Sequence, residues 1–263
     1  MAFDVNNFVI DHVLRGIMTS TADGSVMWSI NQITDPSLNV TSEEAEAVDA
    51  MGTPIATFNR GKQAEFSASN SLFDLGLYAA QNGKEKEVAT ATNTILAPAF
   101  ETIDVTSEAT IALKHAPKAQ IKEIYALKGD GTLGTKYSAS TSATATTFVH
   151  TAGASVVTIP TGLAAGSQLF VMYEYEAEEA VAVTGDAVNF PKAGKFIMEV
   201  LGTDVCDPTT LIHAYIIFPN AKLDANVDVS FTTDGNHPFT IKAQQSYCDK
   251  VKTLFRIVIP SED

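Results

Sequence analysis

Three carboxylates, Glu174, Glu176 and Glu178, alternate with Tyr173 and Tyr175 in the second half of this 263-residue chain. A carboxylate pair can hydrolyse a glycosidic bond, and a carboxylate cluster can hold calcium. The i, i+2 spacing, however, sets all three on one face of a strand, and it favours a solvated sheet face. Gly129-Asp-Gly131-Thr-Leu-Gly134 has the G-x-G-x-x-G spacing of a dinucleotide loop. That chemistry needs a helix directly after the loop, so that its N-terminus can hold the pyrophosphate. The segment after Gly134 is instead Thr135-Lys-Tyr-Ser-Ala-Ser-Thr-Ser, a run of poor helix formers outside any βαβ unit. Asp130-Gly131 therefore reads as a hairpin turn.

The histidines, His12, His115, His150, His213 and His237, are scattered, and no two share metal-ligand spacing. His213 lies within a hydrophobic run and reads as a packed or interface residue. His237 precedes Pro238 beside Asp234-Gly235, which reads as turn chemistry. Two cysteines, Cys206 and Cys248, make no disulfide framework and read as reduced. No G-x-S-x-G elbow occurs, and no nucleophile, base and oxyanion donor combine into a reaction. The expectation is a protein that is not an enzyme, with no catalytic, cofactor-binding or metal-binding residues and no cofactor.

The charge balance of 17 basic against 31 acidic residues, net −14, argues against a nucleic-acid binder, which needs clustered Lys and Arg. The N-terminus lacks a basic region followed by an apolar one, so no signal peptide is read. No apolar run approaches the roughly 18 residues that cross a bilayer. No membrane partner is expected.

The elements that must position these residues are strands. Lys195–Leu201, Leu211–Phe218, Asn226–Phe231, Pro238–Gln244 and Leu254–Ile259 alternate β-branched or aromatic residues with polar ones, and turn residues bound each run. Earlier in the chain, Asp23-Gly24 between alternating segments signals a hairpin. Thr41-Ser-Glu-Glu44 has capping-box spacing, but Gly52-Thr-Pro54 comes soon after, so a short helix and a long loop with one helical turn both stand. Pro54–Phe58 and Gln63–Ser67 read as a strand pair turning at Arg60-Gly61. Ser69 or Asn70 caps a helix over about 71–82, closed by Asn82-Gly83. Its apolar residues Leu72, Phe73, Leu75, Leu77 and Tyr78 spread beyond one stripe. That spread fits a helix buried wholly in its own domain, or one with a second side under a loop or a neighbouring subunit.

Residues 98–184 hold five or six strand-like runs and suit a small β-sandwich. The expected organisation is 1–97 and 185–263 as the two parts of one β domain, with 98–184 inserted between them.

Ala214-Tyr-Ile-Ile-Phe-Pro-Asn-Ala-Lys-Leu-Asp224, then Val227–Phe231, then Thr233–Ala243, with the earlier strand–helix unit Ala64–Tyr78, resembles the tail tube (major tail) proteins of long-tailed bacteriophages. The resemblance covers roughly 8–90 and 185–260. It implies a mainly β fold: an antiparallel β-sandwich or barrel with one flanking α-helix, beside the second small β-sandwich. It also implies homohexameric rings stacked into a tube that conducts DNA without binding it specifically. The partners would be further copies of the chain and other phage tail or head proteins, in a virion assembled in the host cytoplasm. On that reading Phe73, Leu77 and Tyr78 are candidate subunit contacts. Glu43, Glu44, Glu46 and Asp49, in the segment 38–53, are candidates for the contact between rings, unless that segment is an ordinary surface loop. A head decoration or collar protein and a carbohydrate- or receptor-binding module are the alternatives, with a hydrolase ranked last.

Overall fold

Alternation of apolar and polar side chains produces strands over most of the chain. The computed structural model describes residues 7–233, 235–246 and 252–261. In chain order the elements are β1 (Phe8–Thr19), β2 (Val26–Ile30), β3 (Ile33–Val48), β4 (Pro54–Asn70), α1 (Leu75–Gln81), β5 (Glu87–Val88), β6 (Ile95–Asp104), β7 (Thr110–Ala112), β8 (Glu123–Leu127), β9 (Leu133–Ala139), β10 (Thr147–His150), β11 (Val156–Thr158), β12 (Gln168–Ala177), β13 (Val181–Ala182), β14 (Ala193–Asp204), β15 (Asp207–Leu223), β16 (His237–Ala243) and β17 (Arg256–Val258). They form two compact units, Met1–Lys86 with Val183–Asp263, and Glu87–Ala182. A division at residue 97 would cut β6, which pairs with β12 along its whole length from Ile95.

The first unit is an antiparallel sheet of order β2-β1-β14-β15-β16-β4-β3, with β17 on β15, and it nearly closes into a barrel. The β1–β2 hairpin turns at Asp23-Gly24, where Gly24 takes φ 75° and Ser20 N–H donates to Ser25 O at 2.8 Å. Distant segments complete the sheet. Residues 8–19 pair with 195–204, and Glu65–Asn70 pair with His237–Lys242. The inward positions are Val13, Met18, Trp28, Phe66, Phe196, Met198, Phe218, Phe239 and their buried neighbours. Their rings pack with Trp28–Phe196, Phe66–Phe196 and Phe66–Phe239 centroids 5.6, 5.8 and 6.0 Å apart. Burying each ring stabilises the unit by roughly 1.5–3 kcal/mol, and the tilted geometry adds to that.

Three expectations change here. The helix starts at Leu75, not near 71, because Ser69 and Asn70 continue β4, where they pair with Pro238 and His237. Asp74 is the N-cap, its Oδ1 accepting from Leu77 N at 2.7 Å. Asn226–Phe231 forms no ladder with any described strand, although its residues alternate. His237 opens β16 and is fully buried, so it belongs to the core and not to an exposed turn. Asp234 and Cys248 lie outside the described residues.

The largest departure is at 38–62. Neither a loop nor a helix forms: β3 and β4 pair as one long hairpin with register Thr41↔Gln63, Glu44↔Asn59 and Ala47↔Ala56. Arg60-Gly61 is not its turn. Both residues lie inside β4, where Gly61 (φ 58°) sits at the register shift between Thr41 and Glu43, the geometry of a β-bulge. The turn is Asp49–Thr53, where Asp49 Oδ1 accepts from Met51 N and Thr53 N, both at 2.8 Å. A partner strand supplies the backbone hydrogen bonds that a helix would otherwise have to make, and it overrides the weak helical preference of Glu43–Ala47.

The second unit is a sheet of order β6-β12-β8-β9-β10-β11-β7, with a separate β5–β13 pair. The short parallel pair β9–β10 joins its two parts. Ile111, Ile124, Tyr137, Phe148, Val157, Leu169 and Val171 fill one shared core. Two polar groups are buried with them. His150 Nδ1 accepts from Ile121 N at 3.1 Å and its Nε2 faces Ala154 O at 2.9 Å, an arrangement for the neutral ring protonated at Nε2. Glu101 accepts from Lys114 N at 3.1 Å and from the Tyr173 hydroxyl.

Candidate functional site

Beyond Val40 and Ala64 the β3–β4 hairpin leaves the sheet as an arm. Pro54–Gln63 are exposed throughout, whereas Ala64–Asn70 alternate buried and half-buried. The eight steps from Val40 to Val48 carry the arm roughly 27 Å at 3.4 Å per residue. Register sorts its side chains onto two faces. Glu44 and Glu46 lie opposite Asn59 and Thr57, on the same face as Ile55. Ala45 and Ala47 lie opposite Phe58 and Ala56 on the other. Met51 at the turn is 92 % exposed, and Ile55, Val48 and Phe58 are each more than half exposed. All four inter-ring candidates are therefore on this arm: Glu43, Glu44 and Glu46 along β3 and Asp49 in the turn, all exposed. The hydrogen bonds from Thr53 and Met51 hold the Asp49 carboxyl below its ordinary range.

The three helix candidates separate. Leu77 is fully buried in the core of its own unit, so it supplies no subunit contact. Its Cβ follows the inward stripe of α1 with Ala79 and Gln81, a consequence of starting the helix at Leu75. Phe73 precedes the helix and remains 42 % exposed, with Tyr78 half-buried beside it at a ring distance of 5.5 Å. Phe73 also stacks on His237 at 5.3 Å and meets the exposed Phe231 edge-on at 5.4 Å. With Leu72 and Leu75 they form an apolar surface around the start of α1. Below it, the His237 Nε2 faces Gln81 Oε1 at 2.7 Å, and Gln81 Nε2 donates to Pro238 O at 3.1 Å. Those bonds fasten a helix of only seven residues, too short to be stable alone.

On the outward face of the sheet, His213 Nδ1 lies 2.9 Å from Glu199 Oε1, and Arg15 Nε 2.6 Å from Glu199 Oε2. His213 alternates with the buried Ile212 and Ala214, which turns it outward.

In the second unit, Glu174 and Glu176 project from the exposed face of β12, while Tyr173 points into the core and Glu178 lies exposed beyond the strand. Glu176 pairs with Lys118 at 2.6 Å. Gly129–Gly134 closes the β8–β9 hairpin, with Gly131 at φ 80° and Asp130 Oδ1 accepting from Thr132 N at 2.9 Å. Glu101, the buried carboxylate, is one that sequence reasoning missed. Its signal was register: it shares the inward face of β6 with Ala97, Ala99 and Ile103.

Cys206 is exposed and free. Among the described residues, no three metal-ligating side chains gather, and no helix is long and apolar enough to cross a membrane.

An antiparallel, nearly closed sheet with one short helix among the described residues and a bare hairpin arm defines a β-rich protein with exposed apolar side chains on that arm and around the start of α1. The YomU/Tube protein family profile matches residues 8–255, and the chain belongs to that family. The family name points to a tube-type structural protein of phage, a virion component. No curated protein matches the chain.

Proposed function

We propose that this protein is a tail tube subunit that assembles with copies of itself into stacked rings, hexameric on the family resemblance, through which phage DNA passes. The observation that carries this reading is the arm. A hairpin roughly 27 Å long, solvated on both faces, exposes Val48, Met51, Ile55 and Phe58, which its own chain leaves uncovered. An exposed apolar strand pair is an aggregation hazard unless a defined partner covers it, and stacking between rings supplies such a partner. The apolar surface of Leu72, Phe73, Leu75 and Phe231 is the second contact, within or between rings. The net charge of −14 suits a conduit, because a carboxylate-lined wall repels DNA. At physiological salt that repulsion reaches only about 8 Å, so the acidic groups must face the lumen. The unit Glu87–Ala182 is then an accessory β domain carried by each subunit.

Negative-stain microscopy of concentrated purified protein tests the reading. Rings or tubes with a central channel are the expected result. Monomers that persist at millimolar concentration would refute it.

A further inference from the structure

We propose that the cleft between α1 and β2 is the receptor for the β3–β4 arm of a second copy. The inference rests on the self-assembly reading and names which surface of one copy takes the arm of another. The cleft has a volume of about 620 Å³ and lies wholly within the first unit. Its walls include Val26 and Trp28 of β2, Ala80 of α1, the basic Lys84, Lys86 and Lys192, and the acidic Asp74 and Glu85.

Three features of the cleft match the arm. The first is charge. Lys84 is occupied by Asp186 at 2.9 Å and Asp74 caps α1, so Lys86 and Lys192, with no ion-pair partner among the described residues, outnumber the acidic Glu85. The arm is the reciprocal case: Glu44 and Glu46 share one face and likewise have no ion-pair partner among the described residues. The second is apolar surface. Ile55 lies on the same face as Glu44 and Glu46 and is 71 % exposed, while Val26 on the cleft wall is 63 % exposed. Phe190, whose backbone lies against Gly83 of the lining, adds another exposed ring near the cleft. The third is the backbone. β2 ends the sheet, and its outer edge pairs with no described strand, which leaves peptide groups available to an incoming extended segment.

Charge reversal and its rescue test the assignment. Lys86→Glu with Lys192→Glu changes the cleft; Glu44→Lys with Glu46→Lys changes the arm. These side chains are solvated or line the cleft, so folding should persist, with circular dichroism and Trp28 fluorescence as the check. Sedimentation velocity across a concentration series reads assembly. Each reversal alone is expected to raise the concentration needed for assembly at least tenfold. The chain carrying both reversals is expected to return to within about threefold of wild type, because the complementarity is restored with its sign exchanged. A photo-crosslinker placed at Met51 is expected to label peptides containing Val26–Trp28 or Lys84–Lys86 of another copy.

Wild-type assembly that is indifferent to the cleft reversal, double reversal without rescue in folded protein, or crosslinks confined to other segments would each overturn the cleft assignment alone. A wild-type protein that never assembles would overturn the self-assembly reading, and this inference with it.

Discussion

Replacing His237 should loosen α1 and unfold the first unit early, by an amount the structure sets. The ring is fully buried, faces Gln81 Oε1 at 2.7 Å, accepts from Asp74 N at 3.4 Å and stacks on Phe73. His237→Ala leaves the Gln81 oxygen buried without its donor, a cost of about 1–3 kcal/mol. It also opens a cavity beneath Phe73 and ends the stacking, for a total of about 3–5 kcal/mol. At a urea slope of about 2 kcal/mol/M, the unfolding midpoint falls by roughly 2 M. Trp28 is the single tryptophan of the chain and is buried in this unit against Phe196, so its fluorescence follows this unit.

The same residue carries a pH signature. Burial pushes its pKa below the ordinary 6.5, with the Asp74 carboxylate opposing. On acidification the unfolded chain takes up the proton before the folded one does. The contribution of His237 is therefore complete above about pH 6.5 and declines as pH falls below it, toward the folded-state pKa. His237→Phe, which keeps the ring stack and cannot titrate, is expected to lose less stability than wild type between pH 7.5 and 5. Identical pH slopes in the two proteins, or a midpoint shift under 0.5 M for His237→Ala, would refute the reasoning.

Gly83→Ala should destabilise the first unit by about 1–3 kcal/mol, because φ is 68° and an added Cβ would lie 2.3 Å from Phe190 O; the urea midpoint read by Trp28 measures it. In the second unit, burial first and the Glu101 carboxylate next push the Tyr173 phenol up to about 12. The unfolded phenol ionises near 10, so stability from this group is lost as pH climbs from about 10 toward 12. Glu101→Gln should lower the pH at which Tyr173 ionises but leave it above 10, since burial is the larger cause; phenolate absorbance tracks it. Leu72→Ser with Phe231→Ser, at positions 60 % and 80 % exposed, should leave the urea midpoint nearly unchanged and weaken assembly in sedimentation.

The features legible in the chain were those carried by neighbouring residues. Alternation in Lys195–Leu201 and Leu211–Phe218 became β14 and β15, because a pleated strand buries every second side chain whatever its partner. Asp23-Gly24 and Asp130-Gly131 became turns, because positive φ is a local demand that glycine meets. The mainly β class with a single helix, and the resemblance to tube proteins, rested on such local signals. Partner choice was not among them. Glu43–Ala47 has a composition that serves a helix or a loop equally well, and only Thr57–Arg60 arriving in register made it an arm. Phe73 and Leu77 look alike as apolar residues near one helix. The ladder that holds Ser69 and Asn70 in β4 delays the helix to Leu75, leaving Phe73 outside and turning Leu77 inward. Strand pairing brings together residues far apart in the chain, and its free energy depends on both partners at once. Tertiary structure alone could therefore decide which acidic and apolar side chains this protein holds out to another copy.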